Sequence, residues 1–503
     1  MAADLSSAKM DKFKKVGMIG AGSMGGGMTL LLAENGISVA LNDPSTSTID
    51  DLIKSAKDQN IKAELTKHTD YKEFCDTLSK PRVIIFSLPH GPVGDTVVEG
   101  LHPYLEKGDI IIDCANEHWE NTQRRQGKAI AQGVYYIGCG VSGGYQSARR
   151  GPSMCPGGQD QAIDTVMPLL ETMATKAKDG TPCVAKIGEG GSGHYVKMIH
   201  NGIEHGMMSA VSEAWTIMNK HLGMEYDEIG KVFDKWGSEG ELENTFLVTI
   251  AAEICQTKDK SGEHVLADVQ DKVVQDVDGS EATGIWSNTE AVDRHVPAPT
   301  LSTAHFLRIV SAFRGHRQRV NEAFKGTFKP SRISIKDDEK EAFLEDLRWA
   351  VYTTCLAAFV QGMTIIDTAN KENKWNINYP NVVQIWRAGC IIQSDHISSL
   401  LADIYAKTSK NELFYEDSIV SELTRGFDSL KKIVAKGVEC NAVIPSLSAT
   451  LEYLKYSGNM ELPTQFYEAE LDYFGNHKYD SKKEADGPGL PETGQHHYEW
   501  KPA

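Results

Sequence analysis

The sequence lacks the features that mark several specialised classes of protein. Its nine cysteines form no Cys-x-x-Cys pair and are odd in number, which indicates neither a disulfide framework nor a zinc site. No stretch approaches the roughly 20 apolar residues of a membrane-spanning helix. The first residues contain acidic side chains and no apolar core, unlike a signal or transit peptide. We therefore expect reduced thiols, no membrane partner and a cytoplasmic location.

Positive charge is also scarce. The 52 Lys and Arg residues are outnumbered by 69 Asp and Glu, so the net charge is −17. Nucleic acids and anionic membranes are therefore not expected as partners, although a pocket can still be positive locally. Apolar residues at 41% and charged residues at 24% are typical of a globular chain.

Short apolar runs without alternation recur through the first third of the chain, at residues 16–19, 37–41, 83–86, 110–112 and 134–137. Such runs predict strands buried on both faces. Helix-length stretches separate several of them, which predicts a parallel, doubly wound sheet of the Rossmann type. A further apolar piece, residues 183–187, is expected to close this domain.

Beyond residue 193 apolar residues recur at helical spacing, as in residues 196–215 and 342–366. Residues 257–283 are largely polar and are expected to include a long surface loop. The fold class is therefore α/β plus all-α. We predict a Rossmann dinucleotide-binding domain over residues 1–190, a large all-helical domain over 191–479 and an extended, proline-containing tail over 480–503.

A glycine-rich motif follows the first predicted strand and provides six candidate cofactor-binding residues: Gly20, Ala21, Gly22, Ser23, Met24 and Gly25. The glycines allow a tight turn, close approach to a pyrophosphate and close packing of helix on strand. The alternative is a plain structural turn. The flanking strand and helix favour the nucleotide.

The second predicted strand ends at Asn42 and Asp43. A carboxylate at this position accepts a hydrogen bond from the adenosine ribose 2′-OH, whereas NADP needs a cation for its 2′-phosphate. Asp43 therefore favours NAD over NADP. Alternatively, Asp43 only starts the turn at Pro44.

Four polar residues near the start of the helical region share one face if this stretch is a helix. Lys197, His200, Asn201 and Glu204 stand at i, i+3, i+4 and i+7. A helix directly after a Rossmann domain faces the nicotinamide cleft, which favours a catalytic site. A solvated stripe of charged residues is the alternative.

A glycine-containing loop, Ser142, Gly143 and Gly144, follows the strand predicted over residues 134–137. Ligands of open α/β sheets bind at such strand ends, and the exposed N–H groups suit a carboxylate. A plain turn fits equally well.

Together these motifs resemble the family of decarboxylating 6-phosphogluconate dehydrogenases over nearly the whole chain. Residues 108–113, 151–153, 385–392 and 472–477 match the family as well. The resemblance implies a homodimer that oxidises and decarboxylates a 3-hydroxy sugar acid with a nicotinamide cofactor.

The resemblance also implies roles for individual residues. Lys197 would take the proton of the C3 hydroxyl, Glu204 would protonate C1 after CO2 leaves, and no metal would be needed. Substrate-binding positions would be Asn116, Ser142, Gly143, Gly144, His200, Asn201, His205, Ile285, Ser287, Arg308 and His477. Asn42, Asp43, Leu88, Pro89 and Asn116 would join the glycine-rich turn around the cofactor.

The chain departs from the family where phosphates bind. His205 replaces a tyrosine, while Ile285 and Leu471 replace a lysine and an arginine that bind the substrate phosphate. On the cofactor side, Asp43 and Pro89 replace two cations that bind NADP. Of the cations at the phosphate end, Arg308 remains, with His477 nearby.

These departures predict an unphosphorylated or differently terminated sugar acid, oxidised with NAD to a ketose and CO2. The alternative is an ordinary 6-phosphogluconate dehydrogenase that produces ribulose 5-phosphate. A remote alternative is an inactive cofactor-sensing relative, which should have lost Lys197 or Glu204.

The C-terminal residues 494–500 resemble a family tail that threads through the partner subunit. By the same resemblance, His477 would act in the partner's site. Plain disorder is the alternative.

Overall fold

The computed structural model describes residues 11–275, 282–482 and 494–501. The chain forms two compact units, residues 1–450 and 451–503. The first unit begins with a seven-stranded sheet in the order β3-β2-β1-β4-β5-β6-β7. Its strands are β1 Lys15–Ile19, β2 Ser38–Asn42, β3 Leu65–Lys67, β4 Val83–Phe86, β5 Ile110–Asp113, β6 Tyr135–Ser142 and β7 Ser153–Gly157.

Helices cover both faces of this sheet, as the apolar runs predict. They are α1 Ser23–Glu34, α2 Thr46–Asp58, α3 Tyr71–Asp76, α4 Pro92–Leu101, α5 Trp119–Ile130, α6 Gly144–Arg150 and α7 Asp160–Met173. Alternate residues of one strand belong to different core clusters, since Ile85 packs in one and Ile84 in the other. The strands are thus buried on both faces, which confirms the Rossmann prediction.

The sheet differs from the prediction at its two edges. β7 runs antiparallel to β6, because the seven-residue helix α6 between them is too short for a parallel crossover. The edge strand β3 has no apolar run and was not predicted. Residues 183–187 form no strand: Val184 makes one isolated bridge with Met154, and Pro156 in β7 has no N–H to continue the ladder.

The remaining regular structure of the first unit is helical, and the second unit also contains helices. They are α8 Ser192–Thr216, α9 Tyr226–Ser238, α10 Phe246–Gln256, α11 Val265–Asp268, α12 Thr283–Asp293, α13 Pro299–Ala312, α14 Arg314–Ala323, α15 Asp337–Asn373, α16 Tyr379–Ile385, α17 Asp395–Tyr405, α18 Asp417–Glu439, α19 Pro445–Gly458 and α20 Thr464–Gly475. The two helices predicted over residues 196–215 and 342–366 are confirmed as α8 and α15, both longer than predicted.

The buried helices α8 and α15 pack together at the centre of the helical region. α15 is long and apolar enough to cross a membrane by composition alone, but 89% of its most apolar window is buried inside the protein. The polar stretch 257–283, which was predicted to include a long surface loop, contains the four-residue helix α11, and α12 begins at its last residue, Thr283. Residues 276–281 of that stretch are outside the described residues.

In the second unit, a buried aspartate holds the described part of the tail. Asp472 in α20 accepts hydrogen bonds from the backbone N–H of Tyr498 at 3.1 Å and from Trp500 Nε1 at 2.9 Å. Tyr479 and His496 form an isolated antiparallel bridge. Residues 494–501 contain no helix, and residues 483–493 lie outside the described residues.

Candidate active site

The glycine-rich turn lies where the strand order of the sheet reverses, between β1 and β4. Gly20 has a φ of +99°, and a Cβ there would lie 2.1 Å from the carbonyl oxygen of Ser87, so a larger residue does not fit. Gly22 precedes α1, and its Cβ position has no atom within 4 Å. This open backbone and the start of α1 at Ser23 and Met24 suit the phosphates of a dinucleotide.

The carboxylate of Asp43 is tied to that turn. Its Oδ2 accepts a hydrogen bond from the backbone N–H of Ala21 at 2.7 Å, and its Oδ1 accepts from the N–H of Ser45 at 2.7 Å. Asn42 is buried and donates to the carbonyl of His68 at 2.9 Å. Asp43 therefore supports the turn and also places a carboxylate beside the glycine-rich loop. Its hydrogen bond to a ribose stays a prediction.

Two further loops leave the same edge of the sheet. Residues 87–91 follow β4 and contain Leu88, which is partly buried, and Pro89, which is exposed. Asn116, in the loop after β5, is exposed. His194 in α8 contacts the carbonyl of Asp113 at 3.0 Å through Nε2, which joins the end of β5 to the start of α8.

The four polar residues of α8 lie on one face, as their spacing predicts. Asn201 Oδ1 accepts hydrogen bonds from Lys197 Nζ at 2.8 Å and from His200 Nδ1 at 3.1 Å, while Asn201 Nδ2 donates to Thr283 Oγ1 at 2.9 Å. His200 Nδ1 lies 3.7 Å from the Glu204 carboxylate. Lys197, His200 and Asn201 are buried. The face is therefore a packed, hydrogen-bonded cluster and not a solvated stripe.

His200 is neutral in this cluster. Burial and then the charge of Lys197 lower its pKa well below the ordinary value. Because Asn201 Oδ1 can only accept, Nδ1 of His200 holds the proton and Nε2 is the acceptor. Nε2 is buried and has no hydrogen-bond partner among the described residues. It can therefore accept a hydrogen bond from a ligand hydroxyl.

The loop that contains Ser142, Gly143 and Gly144 is brought to this cluster by β6. A Cβ on Gly140 would lie 2.2 Å from Lys197 Cβ, so β6 packs directly on α8. Ser142 is buried at the end of β6. Gly143 and Gly144 follow it at the start of α6.

The distal wall comes from three helices. His205 of α8 and His305 of α13 are buried and stack, with ring centroids 5.8 Å apart and an interplanar angle of 10°. A Cβ on Gly284 of α12 would lie 2.6 Å from His205 Cε1 and 2.8 Å from His305 Nδ1, so glycine makes room for both rings. Burial, then Arg308 and His305, lower the pKa of His205 to about 3. His205 is therefore uncharged and lies in this wall beside Arg308.

Ile285 and Ser287 border this wall from α12. Ile285 is 42% exposed, whereas Ser287 is buried and donates to the carbonyl of Gly284 at 3.1 Å. His477 and Leu471 belong to the second unit, where His477 is exposed and contacts the ring of Phe474 edge-on at 6.0 Å. The structure therefore joins Lys197, His200 and Asn201 in one cluster and places His205 in a second one with Gly284 and His305. The exposed Asn116 stays a predicted substrate position.

Two residues of the site were missed from the sequence. His305 stands three residues before Arg308, a helical spacing that could have indicated it. Trp286 lies next to Ile285 and contacts His90 and His118 edge-on, each at 5.1 Å between ring centroids. No sequence pattern links Trp286 to these histidines, because they are far apart in the chain.

Comparisons with known proteins agree with this geometry. Residues 15–188 match the family model described as the NAD binding domain of 6-phosphogluconate dehydrogenase, and residues 193–500 match the model of its C-terminal domain. The chain belongs to the 6-phosphogluconate dehydrogenase family. It is a decarboxylating dehydrogenase that acts on a CH–OH group.

Relatives in this family match over almost their full lengths. The decarboxylating 6-phosphogluconate dehydrogenase of Emericella nidulans is 44% identical over 95% of this chain and 100% of its own. The NADP(+)-dependent enzyme of Bacillus subtilis is 32% identical over 93% of this chain and 96% of its own. The structure of the Plasmodium falciparum enzyme, studied with NADP+ and with 6-phosphogluconate, is 31% identical with a TM-score of 0.86, covering 97% of this chain and 100% of that one.

Proposed function

We propose that the chain catalyses the oxidative decarboxylation of 6-phosphogluconate to ribulose 5-phosphate and CO2, and that it prefers NAD+ to NADP+. The cluster of the buried Lys197, His200 and Asn201 with the half-buried Glu204 carries this proposal. It occurs in a chain that is 44% identical to a decarboxylating 6-phosphogluconate dehydrogenase over 95% of its length. The preserved Lys197 and Glu204 argue against an inactive cofactor sensor.

The residues of α8 divide the proton transfers between them. Lys197 takes the proton of the C3 hydroxyl and later donates it to the ketone oxygen while CO2 leaves. Glu204, less buried than Lys197, protonates C1. His200 Nε2 and the loop of Ser142 to Gly144 hold the hydroxyl and carboxylate groups at this end of the sugar acid.

The residues at the glycine-rich turn fit a nicotinamide dinucleotide. The open space at Gly22 admits the pyrophosphate, and the carboxylate of Asp43 suits an unmodified ribose. When bound, the nicotinamide supplies hydride acceptance. The negative charge of Asp43 disfavours a 2′-phosphate, and this supports NAD+ although the Bacillus subtilis relative is NADP(+)-dependent.

Of the two substrates that the sequence allows, the comparisons favour the phosphorylated one. An unphosphorylated sugar acid is the second candidate, because the distal wall has an exposed Ile285 and an uncharged His205. Arg308 remains beside that wall and supports a phosphate. We also propose a homodimer in which the tail and His477 of one subunit complete the site of the other, as the family resemblance implies.

Kinetics with a matched panel test the function. The parent enzyme receives 6-phosphogluconate or gluconate with NAD+ or NADP+, and release of CO2 and ribulose 5-phosphate is measured. We expect the highest kcat/KM for 6-phosphogluconate with NAD+. A higher value for gluconate supports the second candidate, and equal or better use of NADP+ contradicts the cofactor preference.

A truncation tests the dimer. Removal of all residues after Asp480 should weaken dimerisation and activity together, as measured by analytical ultracentrifugation and by turnover. Removal of residues 502–503 alone is the matched control. An intact dimer after the longer truncation contradicts the exchange of tails.

A further inference from the structure

Glu117 is a buried carboxylate that the proposed chemistry does not use. It is 3% exposed and directly follows Asn116. Its Oε2 accepts from the backbone N–H of Gly91 at 2.9 Å and its Oε1 accepts from the N–H of His118 at 2.8 Å. One side chain therefore joins the loop after β4 to the loop after β5.

Arg125 completes the junction from α5. Its Nη1 donates to Glu117 Oε2 at 2.8 Å and its Nη2 donates to the carbonyl of Gly91 at 2.7 Å. Both backbone polar atoms of Gly91 are thus held, in a conformation with a φ of +86° that favours glycine. A Cβ on Gly94 would lie 2.6 Å from Arg125 Nη1, so the guanidinium fills a fitted space.

The charged groups of this junction are paired inside the protein. Burial alone raises the pKa of Glu117, but hydrogen bonds from Asn121 and Arg125 outweigh burial and lower it. Arg125 also reaches Asp95 at 3.1 Å and Asp113 at 3.6 Å. Nη1 and Nη2 of Arg125 hold Glu117 and Gly91, whereas its buried Nε has no hydrogen-bond partner among the described residues. Loss of either Glu117 or Arg125 would leave the other charge buried and unpaired, so the pair fixes the two loops to each other.

Between them, the two joined loops contain positions assigned to the cofactor and to the substrate. The loop after β4 contains the cofactor positions Leu88 and Pro89, and the loop after β5 contains Asn116. Trp286, next to Ile285 on the substrate side, lies between His90 and His118, one from each loop. Movement of either loop therefore disturbs contacts on both sides of the cleft.

We propose that Glu117 and Arg125 are positioning residues that couple binding of the dinucleotide to binding of the sugar acid. The inference rests on the proposed function, because it takes these loops as ligand contacts. A ligand that orders one loop orders the other through Glu117, so the second ligand binds to a prepared site. The coupling is reciprocal, and about a fivefold or larger change in affinity is expected.

Calorimetry measures this coupling without turnover. The Kd of NADH is determined alone and with saturating 6-phosphogluconate, which together form a complex that cannot react. In the parent we expect at least about a fivefold difference between the two values. In Glu117→Gln the difference should fall to within about twofold, because the amide has one acceptor oxygen where the carboxylate has two. One of the two loops, at Gly91 or at His118, then loses its acceptor.

Further variants separate positioning from loss of structure. Arg125→Lys keeps the charge but cannot bridge Glu117 and Gly91 together, so it should also lose the coupling. The matched control is Glu189→Gln, since the Glu189 carboxylate accepts a hydrogen bond from Asn376 and lies outside these two loops. This variant should keep the coupling between the two ligands. In Glu117→Gln the KM for the dinucleotide should rise by about tenfold with kcat within about threefold.

The outcomes distinguish this inference from the proposed function. If the parent turns over 6-phosphogluconate but shows no coupling, or if Glu117→Gln keeps the parent's ratio of Kd values, the inference is overturned. If the parent does not turn over 6-phosphogluconate, the proposed function fails, and the ratio is then measured with gluconate. If Glu117→Gln no longer unfolds cooperatively, Arg125→Lys takes its place, and its ratio of Kd values is compared with that of the parent.

Discussion

The two ends of the candidate substrate site, around Lys197 and around His205, are built from different kinds of contact. Around Lys197, a continuous set of hydrogen bonds through Asn201 reaches Thr283. Around His205, a stacked histidine pair and an exposed Ile285 form the wall, with Arg308 beside it. In the proposed function the first end carries the proton transfers, whereas the second meets the distal end of the sugar acid. The variants below change one end at a time.

The largest effect is expected at the chemical end. Lys197→Ala should lower kcat by about a thousandfold, since the general base and later acid of the reaction is removed. The Kd of NADH should stay within about threefold of the parent, because the alanine leaves the glycine-rich turn intact. Stopped-flow turnover and calorimetry measure the two quantities.

A matched control for that variant is Lys231→Ala, an exposed lysine of α9 away from the cluster. It should behave as the parent does. If Lys197→Ala retains more than about a tenth of the parent kcat, the assignment of the base is wrong.

The same contrast explains how much the sequence could predict. Lys197, His200, Asn201 and Glu204 lie within eight residues, so helical spacing alone placed them on one face. The strands 16–19 and 83–86 were predictable because strands buried on both faces are continuous apolar runs. Local pattern is sufficient where neighbours in the chain are neighbours in space.

The distal wall shows where this reasoning fails. His205 comes from α8, whereas Gly284 and His305 come from the consecutive helices α12 and α13 much further along the chain, and no local pattern joins them to His205. β7 has no unalternating apolar run, and its antiparallel direction depends on the length of the connection before it. Tertiary packing, and not propensity, decides these features.

A substitution at Asp43 tests the preference between NAD+ and NADP+. Asp43→Arg should reverse the preference and raise the ratio of kcat/KM for NADP+ over NAD+ by about a hundredfold, since a cation pairs with the 2′-phosphate. Steady-state kinetics with each cofactor measure the ratio.

The control for this variant separates charge from turn geometry. Asp43→Asn removes the charge and keeps an acceptor oxygen for one of the two N–H groups, that of Ala21 or that of Ser45, so the ratio should move by only about tenfold. An unchanged ratio in Asp43→Arg shows that the carboxylate only supports the turn.

A smaller effect is expected at Ile285. Ile285→Lys adds a cation to the exposed edge of the distal wall, and a charge-assisted hydrogen bond to a phosphate contributes about 1.5–3 kcal/mol. The kcat/KM for 6-phosphogluconate should rise by about tenfold, while that for gluconate stays unchanged. Ile285→Met has similar length without charge and should match the parent. Equal gains in both variants contradict a phosphate at this position.

The smallest effect concerns the stability of the distal wall as pH changes. The pKa of His205 is lowered to about 3 in the folded protein, whereas the unfolded chain takes up the proton near the ordinary value of about 6.5. The stability from neutral His205 is therefore fully present above pH 6.5 and is lost as pH falls from 6.5 towards 3. The parent should lose about 1 kcal/mol more than His205→Asn between pH 7 and pH 5.5, as measured by urea unfolding. Glu213, whose pKa is raised to about 7, changes the stability in the opposite direction as pH falls, but equally in the parent and in His205→Asn. If the stability of the two proteins changes with pH in parallel, His205 does not titrate in this way.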